Sequence, residues 1–332
     1  MALYNANLMI RESRKAQGLT QEQLAEGICS RETIVKIEKG ERKPNWFVFR
    51  EILIRLGLDY EIYHNDVTSE GDIELVKWYQ ECIALLNTGK YEELKAEIDK
   101  KEAEKSNSSM WSSGLGYELL LHLKAMLYST SDTFVFENEK NHLNSSLAIE
   151  NALECLQINR PGFEVEKIPE YYLAAHEFRL ITMLANAYVK SNDVDKGIKI
   201  FEMMKANMEK NYSLSIGIVN NAHVINALYR RVFADIAASL SVAKRYEECI
   251  IASDEGMKLS LKFNEIFAYQ TFLSLKAGAL REIGRIDESR ELSKQALMFH
   301  YLLDGHGSID FELSKKWYQD YTGETLDLTA PW

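Results

Sequence analysis

The stretch Arg14-Lys-Ala-Gln-Gly-Leu-Thr20-Gln-Glu-Gln-Leu-Ala-Glu-Gly-Ile-Cys-Ser30-Arg-Glu-Thr-Ile-Val-Lys-Ile-Glu38-Lys-Gly-Glu-Arg-Lys-Pro44 decides how the N-terminal part of this chain folds. Thr20 followed by Gln23 is a capping box, a hydroxyl cap with a glutamine three residues on. Ser30 is a second N-cap, leaving Arg31 and Glu32 at an exposed helix start. Leu24, Ala25, Ile28, Ile34 and Ile37 are spaced to pack inward, and Arg31, Glu32, Thr33, Lys36 and Lys39 are left outside. The pattern predicts two capped helices around a tight turn. The second is short and carries long polar side chains near its N-terminus, which reading a DNA major groove requires.

Around this stretch, residues 1–66 read as a compact helical unit. Helices are expected at about 4–17, 21–27, 31–38 and 45–56, punctuated by Gly18, Gly27, Gly40, Pro44 and Gly57. The polar segment His64–Asp72 reads as a linker or helix junction. The whole chain has 332 residues, 46% hydrophobic and only 4 prolines, which favours long helices over disorder or a large β fold. Its net charge of −11 argues against nucleic acid only as an average. Residues 1–45 hold eight Lys or Arg against six Asp or Glu, leaving 31 basic against 44 acidic residues in the remainder. Four scattered cysteines without a CxxC pair argue against a zinc site or disulfide framework. The start has no basic-then-apolar leader, and no apolar run approaches bilayer length, so a cytoplasmic protein is expected.

From Ile73 the pattern is helix after helix, and the turns repeat. Gly89-Lys-Tyr-Glu-Glu-Leu94, Asn192-Asp-Val-Asp-Lys196, Lys244-Arg-Tyr-Glu-Glu248 and Gly284-Arg-Ile-Asp-Glu288 each place a small or polar turn before a bulky residue and acids. Acids in a first helical turn complement the helix dipole. The intervals of 103, 52 and 40 residues fit helix pairs, with a divergent turn near 131–145. Downstream, Ile225, Leu228, Val232 and Ile236 recur at helical spacing, as do Leu292, Ala296 and Phe299. The fold class expected is all-α: a helix-turn-helix domain at 1–66, then a tetratricopeptide-like α-solenoid at 67–332, capped by a helix over Asp310–Thr325.

The pattern LTQ-x-x-LA…S-x-x-x-I-x-x-IE-x-G, present from Leu19 to Gly40, resembles the helix-turn-helix of the phage-repressor (Xre/Cro) family. The turn Glu26-Gly-Ile-Cys-Ser30 is one residue shorter than the common form. With the solenoid behind it, the chain resembles the Rgg/PlcR/PrgX-type peptide-responsive regulators of Gram-positive bacteria. The resemblance implies that Gln21 contacts a phosphate of double-stranded operator DNA. It also implies that Arg31, Glu32 and Lys36 face base edges, with Thr33 beside them on the DNA-binding face, and that Arg14 and Glu38 form a buried salt bridge. An arginine at position 31 can bond bidentately to guanine, and Glu32 can accept from cytosine or orient Arg31. Arg42 and Lys43, just past the recognition helix, are expected on phosphates. A homodimer is expected, because one recognition helix reads few bases and dimers read half-sites about 34–36 Å apart.

In tetratricopeptide-like pairs the first helix of each repeat lines the concave face; here these are taken as about 170–190, 216–243 and 265–284. The candidate groove residues are His176, Arg179, Met183 and Asn186, then His223, Asn226, Arg230 and Phe233, then Tyr269 and Gln270. Asparagine grips a peptide backbone in a sequence-tolerant way, and arginine clasps a carboxylate. The resemblance implies a short signalling peptide in this groove and a quorum-sensing transcriptional regulator. The alternative is a DNA-binding scaffold whose solenoid holds another protein. No HExxH, GxSxG, P-loop or complete GxGxxG unit is present, so neither an enzyme nor a metal or cofactor site is expected.

Overall fold

In a computed structural model, residues 6–58, 70–104, 111, 115–130, 138–212, 223–263, 266–304 and 309–323 are described. They divide into two compact units, Met1–Leu228 and Tyr229–Trp332. The first unit opens with α1 (Ala6–Ala16), α2 (Gln21–Ala25), α3 (Arg31–Glu38) and α4 (Trp46–Arg55). Both expected caps form. The Gln23 N–H donates to Thr20 Oγ1 at 3.1 Å while Gln23 Oε1 accepts from the Thr20 N–H at 2.8 Å. The Thr33 N–H donates to Ser30 Oγ at 3.2 Å. Ile10, Leu24, Ile34, Ile37, Ile52 and Leu53 have no exposed surface and make one core between the four helices. Each such side chain contributes about 1.5–3 kcal/mol on burial, which holds helices too short to stand alone.

Helix pairs follow: α5 (Glu70–Asn87) with α6 (Tyr91–Ala103), α7 (Leu115–Thr130) with α8 (Asn138–Asn159), and α9 (Ala175–Lys190) with α10 (Val194–Asn211). A 3₁₀ segment, Val165–Glu170, precedes α9 and packs on α10. The first helices α5, α7 and α9 lie side by side, as stacked repeats require. The unit boundary falls inside α11 (His223–Val242). The second unit continues with α12 (Tyr246–Lys262), α13 (Ile266–Glu282), α14 (Ile286–Asp304) and α15 (Ile309–Thr322), each packed on the next. The terminal helix α15 buries Tyr318 against Leu297. The expected divergent turn near 131–145 lies partly outside the described residues, at 131–137.

The four repeated turns have one geometry. Gly89, Asn192, Lys244 and Gly284 are all left-handed, with φ of 71°, 74°, 59° and 83°. In each, the left-handed residue donates its N–H three residues back and the next residue donates five back, as in Lys90 to Leu85, Asp193 to Tyr188, Arg245 to Leu240 and Arg285 to Leu280. This double bond closes a helix with a left-handed residue. The acids that follow are exposed, and three turns pair one with the preceding cation: Lys90–Glu93, Arg245–Glu248 and Arg285–Glu288.

Helices α1–α4 are built into the first unit, which runs well past residue 66. Trp46 and Phe47 of α4 share a core with Leu75 and Tyr79 of α5 and Leu119 and Leu123 of α7. Ala174, before α9, completes the core of α1–α4. The expected linker at 64–72 lies largely outside the described residues.

Candidate functional site

The second and third helices present the recognition surface. Ile34 and Ile37 anchor α3 inward, so Arg31, Glu32 and Lys36 stand exposed and Thr33 half-exposed. Arg31 makes no hydrogen bond or ion pair among the described residues, leaving its fork of donors open. Glu32 pairs with Lys36 at 3.7 Å, an exposed i,i+4 contact, and not with Arg31. Arg42 reaches back to donate to Thr33 Oγ1 at 3.4 Å, and Lys43 is exposed.

Arg14 and Glu38 lock this surface from beneath. Arg14 Nε and Nη2 donate to the two Glu38 oxygens at 2.6 and 3.1 Å, and Arg14 Nη1 donates to the Leu19 carbonyl at 2.7 Å. Gln21 Nε2 donates to Glu38 Oε2 at 2.9 Å. The Gln21 side chain, expected at a phosphate, is thus turned onto this carboxylate. Burial pushes the Glu38 carboxyl up, but the hydrogen bonds from Arg14 and Gln21 and the Arg14 charge outweigh it and hold Glu38 below its ordinary value.

A second polar cluster joins α1–α4 to the repeats, and no motif in the sequence announces it. The Glu26 carboxylate accepts from Arg160 Nη1 at 2.9 Å and from the Tyr172 N–H at 3.0 Å. Arg160 also forks onto the fully buried Glu177 of α9, at 3.0 and 3.2 Å. Gly27 lies against this pair with φ of 71°, and a Cβ there would come within 2.1 Å of Glu177 Oε2. Only glycine fits. Arg55 donates to the carbonyls of Gln23 and Leu24, and to the Tyr172 carbonyl at 3.1 Å. The one signal in the sequence is the unusual Glu26–Ser30 turn itself.

This junction also corrects the placement of His176. It is expected on the groove but is 2% exposed, its ring edge-on to Phe47 at 4.9 Å. Its backbone N–H and Nδ1 both lie 3.2 Å from Glu51 Oε2. Burial raises the Glu51 carboxyl, but Arg50 and His176 hold it well below the usual carboxylate range. Helix α4 covers the N-terminal turn of α9, and that is why His176 faces protein.

The remainder of the α9 stripe stays open: Arg179, Met183, Asn186 and Lys190 are partly exposed at steps of four, three and four. Lys190 donates to the Ser129 carbonyl of α7. On α11, the His223 side chain lies outside the described residues, and Asn226 is buried at 3% exposure. Arg230 is half-buried, and burial lowers its pKa. Phe233 is 4% exposed and packs edge-on to Tyr229 at 5.2 Å, a core position and not a groove one. On α13, Tyr269 is partly exposed against Phe299 and Gln270 is 8% exposed. Asn226 and Phe233 therefore point into helix packing, where the phase read from sequence puts them outward, and Gln270, on a helix whose phase the sequence leaves open, is buried as well.

The four-helix core, the two caps and the open polar face of α3 define a DNA-binding helix-turn-helix. The helix-turn-helix family matches residues 10–62. An uncharacterized HTH-type transcriptional regulator of Methanothermobacter thermautotrophicus is 43% identical over 53 residues, 16% of this chain and 77% of that protein. The chain belongs to the helix-turn-helix transcriptional regulators. The crystal structure of Bacillus thuringiensis PlcR in complex with the peptide PapR7 and DNA shares its fold. The TM-score is 0.52 at 19% identity, over 91% of this chain and 96% of that one. The apo form of the competence regulator ComR from Streptococcus vestibularis is 18% identical with a TM-score of 0.48, over 95% and 97%. Among the described residues no helix is long and apolar enough to cross a membrane.

Proposed function

We propose that this transcriptional regulator binds operator DNA as a homodimer and is switched by a short signalling peptide held on the open face of α9. One observation carries the reading: α9 bears both a grip on the helix-turn-helix and an open polar stripe. Its N-terminal turn grips Glu51 through the His176 N–H and, through Glu177 and Arg160, reaches Glu26 of the helix-turn-helix. Its later turns leave Arg179, Met183 and Asn186 accessible. Arg179 offers a fork for a peptide carboxylate and Asn186 an acceptor with two donors for backbone. Met183 between them supplies an adaptable apolar contact. A ligand on these turns would bias the helix that carries the grip, and only such differential binding shifts DNA affinity. The PlcR structure, holding both a peptide and DNA, supports the pairing of ligands. The proposed role is non-catalytic and cytoplasmic.

The test is calorimetry with a synthetic peptide matching the apolar C-terminal end of a small open reading frame beside the gene. Saturable binding is expected, weakened tenfold or more by Arg179→Ala or Asn186→Ala. No heat and no thermal shift would leave the solenoid as a scaffold for another protein.

A further inference from the structure

The α1 face of the helix-turn-helix carries cations outside the recognition motif. A cleft of about 670 Å³ opens between α1, the start of α2 and the α3 face bearing Arg31, Val35 and Lys39. It is lined by Arg11, Arg14, Lys15, Arg31 and Lys39 against Glu22 and Glu38, in a chain whose net charge is −11. Arg14 is committed to Glu38 at 2.6 Å. The others are uncommitted or loosely held. Lys15 meets Glu12 at 3.7 Å with both side chains about half exposed, and Lys39 meets Glu41 at 3.9 Å. Arg11, exposed, makes no hydrogen bond or ion pair among the described residues. Exposed pairs of this kind contribute little and yield readily to a phosphate.

The geometry points to a phosphate track: Arg11 and Lys15 of α1 hold the sugar–phosphate backbone of one strand of duplex DNA beside the groove that α3 enters. A strand offers one phosphate charge per about 3.4 Å of axis, so several can lie along such a cleft. Arg31 stands at its rim, where the same approach that seats the backbone brings its guanidinium to the base edges. The two α1 residues position the domain without reading sequence. They also explain how an acidic chain keeps affinity for a polyanion, by concentrating positive charge on one wall of one cleft.

The experiment uses the full chain and a random-sequence duplex of about 30 base pairs, with affinity measured by fluorescence anisotropy between about 50 and 200 mM KCl. Taking away one cation that neutralises a phosphate lowers the slope of log K against log salt by about 0.9. Arg11→Gln alone should lower it by one such step and Arg11→Gln/Lys15→Gln by two. The fall in affinity across that salt range would then shrink about tenfold for the double variant. The swap Arg11→Lys/Lys15→Arg should keep the parental slope. Sites selected from a random library should be the same for the double variant as for the parent. An unchanged slope in both Gln variants, or an altered base preference, would overturn the assignment.

Discussion

Replacing Arg160 with alanine should loosen the helix-turn-helix from the repeats, and the cost follows from the junction. The Glu177 side chain has no exposed surface, and the Arg160 side chain is only 13% exposed. Without the guanidinium, Glu177 keeps one donor, the Ala174 N–H at 2.8 Å, and Glu26 keeps the Tyr172 N–H. Removing one partner of a buried ion pair costs about 3–5 kcal/mol, chiefly from the charge left behind. The retained N–H bond and the one-third exposure of Glu26 place the expected loss at the lower end, about 3 kcal/mol. In a unit of this size that is a fall of roughly 6–12 °C in its melting transition. Urea unfolding followed by tryptophan fluorescence reads it, since Trp46, Trp78 and Trp111 belong to this unit. The double variant Arg160→Met/Glu177→Gln buries no uncompensated charge at position 177 and should recover most of the loss. A single variant destabilised by less than about 1 kcal/mol, or a double variant no better than the single, would refute the reasoning.

Other expectations are as direct. Arg31→Ala should cost roughly 1–3 kcal/mol on the cognate operator and relax base preference, read by competition binding; unchanged affinity and preference would remove Arg31 from the base-reading set. In the repeat turns, Lys244→Gly should stabilise the second unit by about 0.5–1 kcal/mol and Gly284→Ala destabilise it by a similar amount, since both positions are left-handed; equal melting temperatures would contradict that. Burial, with the nearby charges of Arg179 and His176, pushes His122 down to about 3, so it is neutral when folded. Its contribution is complete above the unfolded value near pH 6.5 and is lost as pH falls from there towards 3. His122→Asn, at the residue whose Nδ1 meets the Tyr79 hydroxyl at 3.0 Å, should flatten the fall in melting temperature between pH 7 and 5.

What the sequence discloses and what it hides divide along a physical line. The caps at Thr20 and Ser30 and the inward positions from Leu24 to Ile37 are legible because each rests on short, fixed spacings, whereas the Arg14–Glu38 lock, 24 residues apart, is legible only through the family resemblance. The four turns are legible because closing a helix with a left-handed residue restricts what can stand there. The groove residues are less so. A helix inside a stacked solenoid buries more than one face, so an apolar stripe does not say which side is open. Asn226 and Phe233 read as outward on that ground and are buried. His176 is hidden by α4, packed on it from more than 100 residues away in sequence, and Arg160 reaches Glu26 across 134 residues. Arg11 and Lys15 carry no motif. Only the folded cleft sets them beside Arg31.

The most direct measurement is operator affinity with and without the saturating peptide, on the unmodified chain. Peptide should change operator affinity by at least about fivefold, and operator should change peptide affinity by the same factor. Peptide that binds while leaving operator affinity unchanged would contradict it.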